Sequence, residues 1–164
     1  FTWIGGEDKT SLVMGNGRPF FAKLLSPKKR NVRLAKKSNL NEIMIHDLRK
    51  IDHIPNGSIQ FRSKTKMLVS TKNNLSSNKL KKLKQLTDAP IEITDSNKQY
   101  KKRIYKLKYK KHSLQSFAVE MEADGGIPIK RLVNGFSVIP NISSILNTDC
   151  FCEKFDVDQI YLSK

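Results

Sequence analysis

Apolar and polar residues alternate most regularly in two adjoining stretches. In residues 103–110, Tyr105, Leu107 and Tyr109 share one face, and Lys106, Lys108 and Lys110 share the other. In residues 116–123, Phe117, Val119 and Met121 oppose Glu120 and Glu122. A period of two is that of a half-buried strand. The two stretches predict a hairpin whose apolar faces pack on one core while lysines meet glutamates across the ladder. The hairpin delivers the chain into Asp124-Gly125-Gly126.

The remaining pattern supplies strands joined by turns, with a few helices. Residues 18–25 read as a strand with Phe20, Ala22 and Leu24 on one face and Pro19 near its start, where a missing N–H does least harm. Ser26-Pro27-Lys28-Lys29-Arg30 then opens a basic loop. Residues 42–51 fit a strand followed by a turn or a short helix, and the strand is preferred. Asn56-Gly57 marks a turn before a strand over 59–70. Ser77 can cap a helix running to Leu86, on which Leu80, Leu83 and Leu86 form the apolar stripe and Lys79, Lys81, Lys82 and Lys84 cover the rest. A short strand over 91–94 follows Pro90, a helix starts after Pro128, a second short helix covers 141–146, and a strand over 150–160 closes the chain. The sum is a mixed, mostly antiparallel α+β domain spanning residues 1–164.

Charge narrows the partner. The chain carries 31 Lys and Arg against 15 Asp and Glu, a formal net charge of +16, which points to a polyanion. A membrane surface would call for a basic amphipathic helix with aromatic residues on its apolar face, and the basic helix near Leu80 has leucines there instead. No apolar run approaches the roughly 20 residues of a membrane span, and no signal-peptide pattern is present. Nucleic acid is the preferred partner, and no protein partner is implied. Cys150 and Cys152 form a lone Cys-x-Cys, too few for a tetrahedral zinc site. They read as reduced thiols of a cytosolic protein, one facing in and one out on the closing strand. His46 and His53 lack ligand-spaced partners, so no metal is expected.

Two motifs carry the candidate chemistry. Gly5-Gly6-Glu7-Asp8 sets a carboxylate behind two glycines, and Gly15-Asn16-Gly17-Arg18-Pro19-Phe20 follows. Late in the chain comes Asp124-Gly125-Gly126-Ile127-Pro128-Ile129-Lys130-Arg131, with Val133-Asn134-Gly135 behind it. Together they resemble the catalytic domain of the archaeal and eukaryotic tRNA pseudouridine synthases that modify the T-loop. That family carries a Glu-Asp motif, then Gly-x-Gly-Arg-Pro-Phe, and later a glycine pair followed by Ile-Lys and Val-x-Gly. The likeness runs from about Trp3 to Ile160 and is weakest in the middle.

The resemblance implies a pseudouridine-synthase fold, a bent mixed sheet with helices and loops around a central cleft. It also implies a tRNA substrate engaged at its T-arm, a missing N-terminal region that binds tRNA, and no cofactor. Pseudouridine formation breaks the glycosidic C–N bond, turns the base and rejoins it through carbon, so one ionised carboxylate suffices as nucleophile or charge stabiliser. Asp8 matches the family's catalytic aspartate. A bound base would desolvate that carboxylate and raise its pKa unless a cation stood nearby. Lys130 matches that cation, and Arg131, its neighbour, points elsewhere. Tyr105 and Tyr100 are candidates for the aromatic ring set against the target base, although alternation offers Tyr105 a core role as well. Arg18 would hold a phosphate or brace the Asp8 loop. Lys101, Arg103 and Arg131 belong to the expected RNA contacts. Gly6 stands where relatives commonly have Arg, and Ile127-Pro128 where they have Thr-Tyr. These departures bear on the neighbouring contacts and on which uridine is preferred. The alternatives are a non-catalytic basic RNA-binding module and a DNA-binding domain, the latter without helix-turn-helix or zinc-finger spacing.

Overall fold

The computed structural model describes residues 1–5, 17–29, 31–41, 43–54, 59–96 and 98–162. It divides into two compact units. The smaller comprises Phe1–Trp3 and Phe20–Ile59. In it β1 (Thr2–Trp3) pairs antiparallel with β2 (Phe20–Phe21), and the Trp3 and Phe20 rings lie 5.0 Å apart. The strand expected over 18–25 is therefore only two residues long, and Leu24 and Leu25 are exposed. A second hairpin joins β3 (Lys37–Leu40) to β4 (Ile43–His46), so the strand reading of 42–51 holds for its first part.

The larger unit holds an antiparallel sheet of β5 (Phe61–Thr71), β8 (Ile104–Lys111), β9 (Ser116–Asp124) and β11 (Cys150–Leu162), in the order β11-β5-β9-β8. Alternation sets its faces: Phe117, Val119, Met121 and Ala123 of β9 and Met67 and Val69 of β5 point into the core. A smaller sheet takes the order β10-β6-β7, from β6 (Ile91–Asp95), β7 (Lys98–Lys102) and β10 (Val138–Ile139). Neither β7 nor β10 is expected from the sequence, because β7 is lysine-rich and β10 has only two residues.

Helices cover the buried face. Ser76, one residue before the expected Ser77, caps α1 (Ser77–Lys81) by accepting from the Lys79 N–H. The helix then tightens into a 3-10 turn over Lys82–Thr87. The leucine spacing explains this: Leu80, Leu83 and Leu86 recur every three residues, the period of a 3-10 helix, and all three are fully buried. The helix α2 (Ile129–Asn134) ends at Gly135 in the left-handed region, and α3 (Ile142–Leu146) opens with an Asn141–Ser144 capping box. Cys150 is buried and Cys152 half-buried against the same core. Residues two apart on a strand share a face, so the expectation of one cysteine in and one out is corrected. Burial pushes the Cys150 thiol up to about 11. No helix among the described residues is long and apolar enough to cross a membrane.

Candidate functional site

The described residues that flank positions 6–16 are fastened to one another. The Ile4 N–H donates to the Pro19 carbonyl at 3.0 Å. Arg18 donates from Nε to the Ile4 carbonyl at 3.2 Å and from Nη2 to the Gly5 carbonyl. Arg18 thereby holds the backbone at Ile4 and Gly5. Asp8 itself lies outside the described residues.

Gly5 also lines a cavity of about 370 Å³, whose walls include Phe61 and Thr65 of β5, Val157 of β11, Gly126 and Lys130. The glycine pair at its edge divides the work. A Cβ on Gly125 would sit 2.2 Å from the Phe61 ring, and the Gly125 N–H donates to the Phe61 carbonyl at 2.7 Å. Gly125 is thus needed for close approach. Gly126 has open space around it but a φ of +85°, a backbone conformation that side chains disfavour. The turn they form swings the chain from β9 into α2, whose first turn presents Lys130, exposed, at the cavity.

Arg131 goes elsewhere, as expected for consecutive helical residues. Its Nε donates to the Phe136 carbonyl at 3.0 Å, its Nη2 donates to the Thr94 carbonyl, and Nη1 lies 3.7 Å from Asp95. The guanidinium ties α2 to β6.

The tyrosines depart from the sequence pattern. Tyr100 is half-buried and packs against the core. Tyr105 does not share a face with Leu107 and Tyr109, which pack inward. The register shifts between Ile104 and Lys106, a bulge that places Ile104 in the core and turns Tyr105 outward. There its hydroxyl donates to Asp124 Oδ1 at 2.9 Å, and the Arg62 guanidinium carbon lies 3.9 Å from the ring centroid. Asp124 Oδ2 accepts from the Arg103 N–H at 2.8 Å. Tyr105 is not among the cavity walls; it is tied to them through Asp124, two residues before Gly126. The core-packing alternative for Tyr105 is therefore excluded.

Lys101 forms an ion pair with Glu92 at 2.9 Å, and Arg103 is exposed. Between them Lys102, half-buried, brings its Cε within 4.0 Å of the position a Cβ would take on Gly126. Sequence reasoning did not single out Lys102, Arg62 or the carboxylate of Asp124. The last had a signal: it ends the alternating strand immediately before the glycine pair. Among the described residues no cluster of His, Cys, Asp and Glu could hold a metal.

The family described as Pus10, C-terminal matches residues 1–161. The tRNA pseudouridine synthase Pus10 of Nitrosopumilus maritimus is 42% identical over 98% of this chain, and that of Cenarchaeum symbiosum 36% identical over all of it. The chain spans only 42% and 41% of the lengths of those relatives. A chain of a Cbf5–Nop10–Gar1 crystal structure superposes on 63% of this chain and 32% of its own length, with a TM-score of 0.52 at 8% sequence identity, a likeness of fold. The mixed α+β pseudouridine-synthase fold anticipated from the motifs is accordingly the fold found. On the match over its whole length and the identity of these relatives, the chain belongs to the Pus10 C-terminal family.

Proposed function

We propose that this chain is the catalytic part of a cytoplasmic tRNA pseudouridine synthase that isomerises uridine in the T-loop, with Asp8 as its catalytic carboxylate and Lys130 as the cation that keeps Asp8 ionised. The observation that carries the reading is that Gly5 and Lys130 line one cavity. Asp8 follows Gly5 by three residues, at most about 11 Å of extended chain. Family membership supports it, since the relatives are named for this activity on tRNA.

The cavity suits a flipped-out base: its walls are largely apolar, with Phe61 and Val157 offering surface to a uracil ring and Lys130 supplying positive charge. In the proposed reaction the carboxylate of Asp8 attacks or stabilises the sugar as the bond from N1 to the ribose breaks. The freed uracil turns, C5 bonds to the ribose carbon, and the proton leaves C5 while N1 gains one. Atoms balance without a coenzyme or an oxidant. Arg18 keeps the stem of the Asp8 segment closed through the Ile4 and Gly5 carbonyls. Tyr105, held by Asp124 two residues before Gly126, is the aromatic candidate proposed for the target base.

Release of tritium from C5-labelled uridine in a tRNA transcript tests the reading, with mapping of the modified position to assign the uridine. Release at a T-loop uridine supports it. A protein that binds the transcript without releasing tritium would make it a binding module instead.

A further inference from the structure

The lysines of this chain are distributed unequally in one respect that composition hides: several on the solvent face of the four-stranded sheet pair with acids, and those of α1 and the 3-10 turn do not. On the solvent face of the four-stranded sheet, Lys64 Nζ lies 3.0 Å from Glu120 and 3.3 Å from Asp158. Lys66 reaches Asp158 at 3.3 Å, and Lys106 reaches Glu122 at 3.3 Å. The register produces this, because β8 and β5 carry lysines in the rows where β9 carries glutamates. The Glu120 and Asp158 carboxylates hold the Lys64 ammonium above its usual value. Asp158, although desolvated, is held below its usual value by hydrogen bonds from Lys64 and Lys66.

The helical side differs. Burial of Leu80, Leu83 and Leu86 fixes α1 and the 3-10 turn so that Lys79, Lys81, Lys82 and Lys84 all point to solvent. Among the described residues no carboxylate lies within ion-pair distance of these four. The 3-10 turn packs on β8 and α3, α3 packs on α2, and α2 packs on β11 beside the cavity. The four lysines and the cavity therefore share one side of the sheet, the 3-10 turn against β8 and the cavity against β5 and β11.

We infer that RNA lies across the helical side, with its phosphates on Lys79, Lys81, Lys82 and Lys84 while the target nucleotide occupies the cavity. The solvent-facing side of the sheet takes no part. The partner chemistry follows from the charge: a flexible array of ammonium groups without local acids suits a phosphate backbone, which it positions without reading sequence. This inference rests on the reading of the chain as an RNA-modifying enzyme and narrows it to one surface.

The test compares two variants of the chain for binding to an in vitro tRNA transcript over a salt series. One changes the helix lysines together (K79Q, K81Q, K82Q, K84Q); the other changes the sheet lysines (K64Q, K66Q, K106Q). All seven side chains lie at the protein surface, and an arginine version of the helix set (K79R, K81R, K82R, K84R) controls for folding. The helix set should make the slope of log K against log salt shallower by about 2 to 4, roughly one for each phosphate that is no longer neutralised. The sheet set should leave the slope within about half a unit of the parent, and the arginine version should restore it. A helix-set slope equal to the parent's, with the parent still binding and releasing tritium, overturns the inference and leaves the enzyme reading standing. An equal loss in both sets also overturns it. A parent whose RNA affinity ignores salt also overturns it, since no phosphate is then being neutralised.

Discussion

The hydroxyl of Tyr105 donates to the carboxylate of Asp124 at 2.9 Å, across a bulge that turns the tyrosine away from the core. The same carboxylate accepts the Arg103 N–H. Removing it in Asp124→Ala leaves two exposed donors to water, with an expected loss of about 0.5–1.5 kcal/mol of stability. Asp124→Asn, which retains an acceptor oxygen, should lose less than half of that. If the Tyr105 ring serves the reaction, Tyr105→Phe should keep most activity and Tyr105→Leu should lose it, with both proteins folded. Urea denaturation and tritium release check the two halves. Equal activity of the phenylalanine and leucine variants would deny the ring any role.

Arg18 fastens Ile4 and Gly5 at the mouth of the Asp8 segment. Arg18→Gln should lower the single-turnover rate by about tenfold or more, the scale on which misplaced catalytic groups act. Affinity for tRNA should change less than about threefold, since a single phosphate among several is the most that Arg18 could hold. A variant with weakened binding and an unchanged rate would reassign Arg18 to phosphate holding.

The glycine pair should respond unequally to alanine. Gly125→Ala drives a Cβ into the Phe61 ring, an overlap that should cost about 3 kcal/mol or more. Gly126→Ala meets no atom closer than 4.0 Å and only strains its φ of +85°, at a cost of about 1–2 kcal/mol. Midpoints of urea denaturation compare the two. The reverse ranking would contradict the close approach of Gly125 to Phe61.

The β8–β9 hairpin, the leucine stripe and the turn into α2 are legible in the sequence through periodicity, because burial on one face imposes it directly. Tyr105 is misplaced by the same reasoning for a physical cause: Tyr105, Leu107 and Tyr109 keep a perfect period of two in sequence, and the bulge at Ile104 breaks it only in space. Lys101, expected to meet RNA, pairs with Glu92, while its neighbour Lys102 approaches Gly126. Nothing local distinguishes the two lysines before β7 is known to pair with β6. Asp8 and Lys130 follow from the motifs alone, and only Lys130 lies among the described residues.

The two cysteines should react differently. Burial raises the Cys150 thiol to about 11, so near pH 8 it is protonated and inaccessible in the native state, and thiolate is the reactive form. Its raised value also means that this contribution to stability is complete below the ordinary thiol pKa of about 9 and is lost as pH climbs toward 11. Iodoacetamide at pH 8 should modify Cys152 first and Cys150 only on unfolding. Mass spectrometry after limited alkylation decides this, and equal modification of both would contradict the burial of Cys150.

The central claim is that Asp8, kept ionised by Lys130, isomerises uridine in tRNA. Lys130→Met should slow the reaction and move the acidic limb of its pH–rate profile upward, since a depressed carboxylate pKa rises when its cation is removed. Asp8→Asn is nearly isosteric and bears most directly on the claim. Tritium release from C5-labelled uridine in a tRNA transcript should fall to background in this variant, while its tRNA affinity stays within a few-fold of the parent. Release at the parental rate by Asp8→Asn would contradict the claim.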